Sequence, residues 1–190
     1  IVSEPKRARL YELLNTYSFA TGDFILASGK KSSYYFDFRA VASNPEAMKL
    51  VGEIFFEAMK NIKPKPDAIA GAIFGAAPIV TAMTIESFLQ NEPVSGLYIR
   101  KEPKKYGKQN YIEGYMEPGR ELNILMIEDV ITTGGSIMRA IEHLRDSAPH
   151  CNVLGVLALL DRLEGGTENI QQAGYPLKTL FTIKDFLMED

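Results

Sequence analysis

Ile124-Leu125-Met126-Ile127-Glu128-Asp129-Val130-Ile131-Thr132-Thr133-Gly134-Gly135-Ser136 runs from an apolar stretch into two adjacent carboxylates, then into a turn rich in hydroxyls and glycine. The apolar part has the length and composition of a buried strand. Ile137, Ala140, Ile141 and Leu144 follow at helical spacing, so a helix starts directly after the turn. Residues 67–74 form a similar apolar run that passes through Gly75 and Pro78 into a helix reaching about Leu89. Residues 94–99 and 153–160 read as further buried strands, and 177–182 as a last one. Strands alternating with helices predict an α/β fold, a mostly parallel sheet flanked by helices on both faces.

Outside this alternation, Leu10, Leu13, Leu14 and Tyr17 share one face of a helix that starts near Pro5 and packs as a lid or flank. Asn44-Pro45-Glu46 is a helix start, with Met48, Val51, Ile54, Phe55 and Met59 as its apolar stripe. Pro64-Lys65-Pro66 breaks the chain. Residues 100–120 are weakly patterned, and a loop of that length in a compact domain is usually functional or mobile.

The chain has 190 residues, 46% of them apolar, enough for the core of a single domain. A net charge of -3, with both signs dispersed, gives no global reason to expect a nucleic-acid or membrane-surface partner. Cys151 is the only cysteine, which excludes an internal disulfide and a Cys-rich zinc site and fits a reducing cytoplasm. No apolar run reaches the roughly 18 residues of a membrane span, and the first residues lack a signal-peptide core.

The chemistry of the opening segment follows from its parts. Gly134 and Gly135 let backbone N–H groups approach an anion, and the helix start adds partial positive charge, which makes a phosphate cradle. Thr132, Thr133 and Ser136 add hydroxyl donors. Glu128 and Asp129 would repel a phosphate placed directly on them, so they suit neutral sugar hydroxyls or a cation. Together these features fit a sugar 5-phosphate. Taken piece by piece, they also describe an ordinary capped helix after an acidic strand end.

The segment resembles the phosphoribosyl pyrophosphate (PRPP) motif of type I phosphoribosyltransferases. The resemblance implies that Glu128 and Asp129 hold the ribose hydroxyls and that Val130, Ile131 and residues 132–136 surround the 5-phosphate. Three further segments resemble orotate phosphoribosyltransferases in particular. In Ser28-Gly29-Lys30-Lys31-Ser32-Ser33-Tyr34-Tyr35-Phe36-Asp37-Phe38-Arg39, the resemblance places Tyr35 and Phe36 against orotate. Read alone, that stretch is an alternating strand with Tyr34, Phe36 and Phe38 inward.

Arg100-Lys101-Glu102-Pro103-Lys104-Lys105-Tyr106-Gly107 resembles the family's catalytic loop; five of the nine residues 100–108 are basic, which otherwise describes a solvated charge run. Asp161-Arg162-Leu163-Glu164-Gly165-Gly166 matches the third segment, in which the arginine, with Thr132, contacts orotate. Without the resemblance, Asp161-Arg162 is a routine ion pair. The matches run in family order over most of the chain.

The resemblance therefore implies transfer of the phosphoribosyl group of PRPP to orotate, giving orotidine 5-monophosphate and pyrophosphate. Mg²⁺ would ride on substrate oxygens without a direct protein ligand, and Arg100, Lys101 and Lys104 would stabilise the departing pyrophosphate. Phe74, Gly75 and Tyr106 complete the implied PRPP contacts. The implied assembly is a homodimer in which the loop at residues 101–110, mobile without ligand, reaches the partner's site. The resemblance also implies a single phosphoribosyltransferase domain over residues 1–190, with a small hood over about residues 1–40.

The chain departs from the family at three points. Ala27 and Gly75 stand where many or some members carry a basic residue, and Tyr106 where many have histidine. His143 and His150 read as solvated surface residues on a polar helix face and in a loop. A purine phosphoribosyltransferase or a PRPP-sensing regulator would share the PRPP motif; the segments around Tyr35 and Arg162 disfavour the first, and the acidic balance disfavours the second.

Overall fold

Residue order along the chain converts the alternating pattern into a sheet that outlasts its apolar runs. The structure, a computed structural model, describes residues 3–25, 29, 31–103, 111–117 and 119–187. Helix α1 (Glu4–Tyr17) leads to an antiparallel pair, β1 (Phe19–Ile25) and β2 (Lys31–Phe36), followed by α2 (Phe38–Val41) and α3 (Pro45–Met59). The main sheet is built from β3 (Ala68–Ala72), β4 (Ser95–Ile99), β5 (Ile112–Glu113), β6 (Asn123–Ile131), β7 (Asn152–Asp161) and β8 (Leu177–Thr182). Helices α4 (Ala77–Leu89), α5 (Gly135–Ser147), α6 (Gly166–Gln172) and α7 (Lys184–Leu187) complete the chain.

The sheet order is β5-β4-β3-β6-β7-β8, parallel except for β5 at one edge. Side chains alternate across it. Ile69, Leu125, Ile127 and Leu157 join the core under α1, α3 and α4, whereas Ala70, Ile124, Met126 and Val156 face Ile137, Ile141 and Leu144 of α5. Both faces are covered, as a parallel sheet requires.

Chain reversals set the helix positions. The Asn44 side chain accepts a hydrogen bond from the Ala47 N–H, with Pro45 in the first turn of α3, so the cap read from sequence is present. Val51, Ile54, Phe55 and Met59 are buried as the stripe predicts. In α1, Leu10, Leu13 and Leu14 are buried, but Tyr17 is 53% exposed. Helical phase places Tyr17 with the others, but the helix ends there, and Ser18 turns the chain into β1.

Two expectations need correction. Strand β6 does not stop at the carboxylates: it continues through Glu128 and Asp129 to Ile131, held by β7 through Val130–Leu160 and Ile131–Asp161. Its pairing with β3 ends at Gly71–Ile127. The carboxylates thus lie on strand that outruns its neighbour, beside an opening rather than in a loop. Likewise, residues 100–120 are not wholly irregular, because Tyr98–Glu113 and Ile99–Ile112 pair as a short antiparallel edge.

Candidate active site

The chain leaves β3 towards the β4–β5 side of the sheet and returns to β6 on the other side. Crevices outside the carboxyl ends of strands at such a reversal are where open α/β sheets bind ligands. A cavity of about 720 Å³ opens there. Glu128, Asp129, Val130 and Ser136 form one wall, and Phe74 and Gly75 another. Arg100 and Lys101 supply cations, and Tyr35 and Phe36 come from the antiparallel pair.

Glu128 is 4% exposed, and its Oε2 has no hydrogen-bond partner among the described residues. Its Oε1 accepts the Asp129 N–H at 3.2 Å. Burial first, and then the adjoining Asp129 carboxyl, hold Glu128 well above the usual carboxylate range, which Lys101 only partly counters. A buried, unpartnered carboxyl oxygen on a cavity wall fits a ligand that brings its own donors, as sugar hydroxyls do. Asp129 lies against Gly75, where a β-carbon would sit 2.5 Å from Oδ1.

The turn after β6 has the geometry of an anion cradle. Gly134 adopts φ +79°, a left-handed conformation that favours glycine, and among the described residues no side chain caps the first turn of α5. Its free N–H groups therefore remain available to an anion. Helix α6 braces this turn: Asn169 Nδ2 donates to the Thr133 carbonyl at 3.0 Å, and Gly166 packs against Ile131 and the Thr132 carbonyl without room for a β-carbon. Asn169 was not singled out in the sequence, because a polar residue on a short helix has no local signal of such a task.

Ile131 at the end of β6, the turn residues Thr132, Thr133 and Gly134, and Gly135 at the start of α5 do not line the cavity themselves. Arg162 is likewise off the cavity wall. It does not pair with Asp161, whose carboxylate instead accepts from the Leu163 N–H and the Thr167 hydroxyl. The Arg162 guanidinium bonds Glu164 at 3.0 Å, lies 5.0 Å from the centre of the Tyr34 ring and donates from Nε to the Tyr34 hydroxyl at 3.3 Å. It thereby ties β2 to the end of β7. Tyr34 and Phe36 turn inward as alternation predicts, while Tyr35 is 41% exposed; Phe38, also buried, belongs to α2.

Sequence reading missed Arg39 and Asp37 on the cavity. Asp37 accepts from Arg39 Nε at 2.9 Å and from its other guanidinium nitrogen at 2.8 Å. The Arg39 side chain remains 68% exposed. The paired guanidinium, more than burial opposes it, holds Asp37 below the usual carboxylate range. His143 also departs from expectation: rather than being freely solvated, its ring stacks on Tyr111 at 3.9 Å and its Nδ1 lies 3.2 Å from the Arg100 carbonyl oxygen. Lys104, Tyr106 and Ala27 lie outside the described residues.

Among the described residues, no three His, Cys, Asp or Glu side chains converge as a metal cage. Among the carboxylates on the cavity, Asp37 is taken up by Arg39, while the adjacent Glu128 and Asp129 suit contact with a hydrated divalent cation carried by a ligand more than a closed protein site. No described helix is long and apolar enough to cross a membrane.

A parallel sheet with this order, paired carboxylates beside an uncapped glycine turn, and a facing pair of cations define a type I phosphoribosyltransferase. No family model matches the chain. An orotate phosphoribosyltransferase from Sorangium cellulosum is 41% identical over 187 residues, covering 97% of this chain and 95% of the relative. The chain belongs to the orotate phosphoribosyltransferase family. An orotate phosphoribosyltransferase of Methanocaldococcus jannaschii is 40% identical over 95% of this chain and 96% of its own length. The crystal structure of the Mycobacterium tuberculosis orotate phosphoribosyltransferase with Fe(III) dicitrate superposes with a TM-score of 0.81 at 30% identity, covering 96% of this chain and 99% of that one.

Proposed function

We propose that this chain transfers the phosphoribosyl group of PRPP to orotate with Mg²⁺, forming orotidine 5-monophosphate and pyrophosphate for pyrimidine synthesis in the cytoplasm. The observation that carries this reading is the unpartnered Glu128 Oε2 beside Asp129, one strand end away from the uncapped turn of α5. Ribose hydroxyls donate to Glu128 and Asp129 while the 5-phosphate lies on the N–H groups of residues 132–136. Orotate packs on Tyr35 and Phe36, and Arg162 with Thr132 recognises its carboxylate, for which a planar guanidinium is well shaped.

Displacement at the anomeric carbon needs no protein nucleophile. It needs two substrates held in line and negative charge stabilised on the departing pyrophosphate. Arg100 and Lys101, joined by Lys104 and Tyr106, supply that stabilisation, and Phe74 and Gly75 border the pyrophosphate. Mg²⁺ carried on the substrate would neutralise charge on the departing pyrophosphate, and Glu128 and Asp129 are the carboxylates that would meet its hydration shell.

The active unit is a homodimer in which Lys104 serves the partner's site. Ile85, Phe88 and Leu89 on the outward side of α4 support this assembly, being 58%, 74% and 66% exposed. A contiguous apolar face of that kind marks a docking surface. Helix α4 begins two residues after Gly75, and this face lies on its last turns.

Pyrophosphate release from PRPP, measured with orotate, adenine, hypoxanthine and xanthine, tests the assignment. Release is expected with orotate and Mg²⁺ and is expected to fall when the metal is chelated. Release with a purine but not with orotate would replace the reading by the purine alternative.

A further inference from the structure

We propose that His143 is a positioning residue that sets the Arg100–Lys101 peptide against the carboxylate wall, a role that rests on the reading of Arg100 and Lys101 as the cations of pyrophosphate departure. Three contacts carry the inference. The Arg100 N–H donates to the Tyr111 carbonyl at 2.8 Å, closing the two chain ends that leave the β4–β5 edge. His143 stacks on Tyr111 at 3.9 Å, and its Nδ1 lies 3.2 Å from the Arg100 carbonyl. One side chain from α5 therefore touches both ends.

A carbonyl oxygen only accepts, so Nδ1 carries the proton in this contact. The Arg100 carbonyl lies in the rigid peptide plane that also contains the Lys101 nitrogen. Fixing the oxygen fixes the direction in which Lys101 leaves the strand. Lys101 lines the cavity and is close enough to Glu128 to oppose the rise in its pKa. The Arg100 side chain is held separately, by Glu113 at 3.2 Å.

The element that supplies His143 gives the contact its use. Helix α5 begins at the phosphate turn, where Ser136 faces the cavity, and His143 lies two turns further on, roughly 10 Å along the axis. A single rigid helix thus references the cations to the phosphate cradle. Anchored at only one of these points, Lys101 would be free to shift by the fraction of an ångström to which in-line transfer is sensitive.

Two substitutions separate the donor from the ring. His143→Phe keeps an aromatic ring for Tyr111 and removes the N–H. His143→Asn removes the ring but puts an amide nitrogen at the same branch point as Nδ1. Hydrogen exchange of the backbone amides of residues 100–102, above all the Arg100 N–H bonded to Tyr111, reads the clamp in the free protein without relying on turnover. His143→Phe should speed it by about 3- to 10-fold, the worth of one hydrogen bond, while His143→Asn stays nearer wild type.

In steady state, with wild-type turnover measured alongside, His143→Phe should lower kcat/KM for PRPP on the order of 10-fold and leave KM for orotate unchanged, with partial rescue by His143→Asn. Exchange at residues 100–102 unchanged in His143→Phe would overturn the clamp. Faster exchange with kcat/KM for PRPP intact, or equal damage by both variants, would overturn its positioning role. If wild type itself fails to turn over orotate, the functional reading fails and the positioning role falls with it.

Discussion

Gly75 faces the Asp129 carboxylate so closely that a β-carbon on Gly75 would lie 2.5 Å from Oδ1 and 2.7 Å from Cγ. The glycine, which leaves this wall without a cation, is also what lets Asp129 occupy its observed position. Lysine here would require the carboxylate to move. Gly75→Ala is accordingly expected to rotate Asp129 away and lower kcat/KM for PRPP by about 10- to 100-fold, with little change in Tm. Kinetics within twofold of wild type would show that the Asp129 position is not used.

Asp129→Ala should leave a folded protein, because the carboxylate lies on the cavity wall rather than in the core. Loss of one positioned group at a transition-state site costs on the order of 2 to 4 kcal/mol, a 30- to 1000-fold fall in turnover. Circular dichroism together with pyrophosphate release checks both halves.

Glu128→Gln should trade activity for stability in a pH-dependent way. Burial and Asp129 raise the folded-state pKa of Glu128, so between the ordinary carboxylate range and that raised value the folded chain keeps a proton the unfolded chain has lost. Stability conferred by that proton is present at low pH and drains away as pH rises through the window. Glutamine, shaped like the neutral acid, does not ionise. The variant should match wild type at low pH, where both side chains are neutral, and gain on it in Tm as pH rises through that window. A Tm difference that does not grow with pH would contradict the assignment.

Arg162→Lys keeps the charge but loses the planar fork that now engages Tyr34 and Glu164. The expected outcome is a rise of about 10-fold or more in KM for orotate, with KM for PRPP near wild type. A parallel rise in both constants would instead indicate a general disturbance of the β2–β7 junction.

Mixing Lys104→Ala with Asp129→Ala chains tests the shared site. If Lys104 acts in the partner subunit, each hybrid dimer regains one intact site, and random exchange returns roughly a quarter of wild-type activity. Native mass spectrometry of differently tagged chains establishes that hybrids have formed. Hybrids without recovered activity would assign Lys104 to its own subunit.

The parts of this protein legible in sequence are those encoded over a few neighbouring residues. Helical spacing gave the stripe of α5, the Asn44-Pro45 pair gave the start of α3, and uninterrupted apolar runs gave the parallel strands, because period and capping are local properties. The turn at Gly134 was legible for the same reason. Tyr17 shows the limit: its phase is right, but the chain turns away before anything covers it.

By itself, the sequence determined the α/β alternation, the carboxylate-turn-helix unit and, through resemblance, the family. Tertiary structure decided which groups meet. Glu128 and Asp129 become a cavity wall only because β3 stops pairing at Gly71 while β7 carries β6 on to Ile131. His143, polar and unremarkable in its helix, gains a task because β4 and β5 bring Arg100 and Tyr111 together beside it. Such contacts join residues far apart along the chain, and local preferences contain no information about a neighbour that only folding supplies.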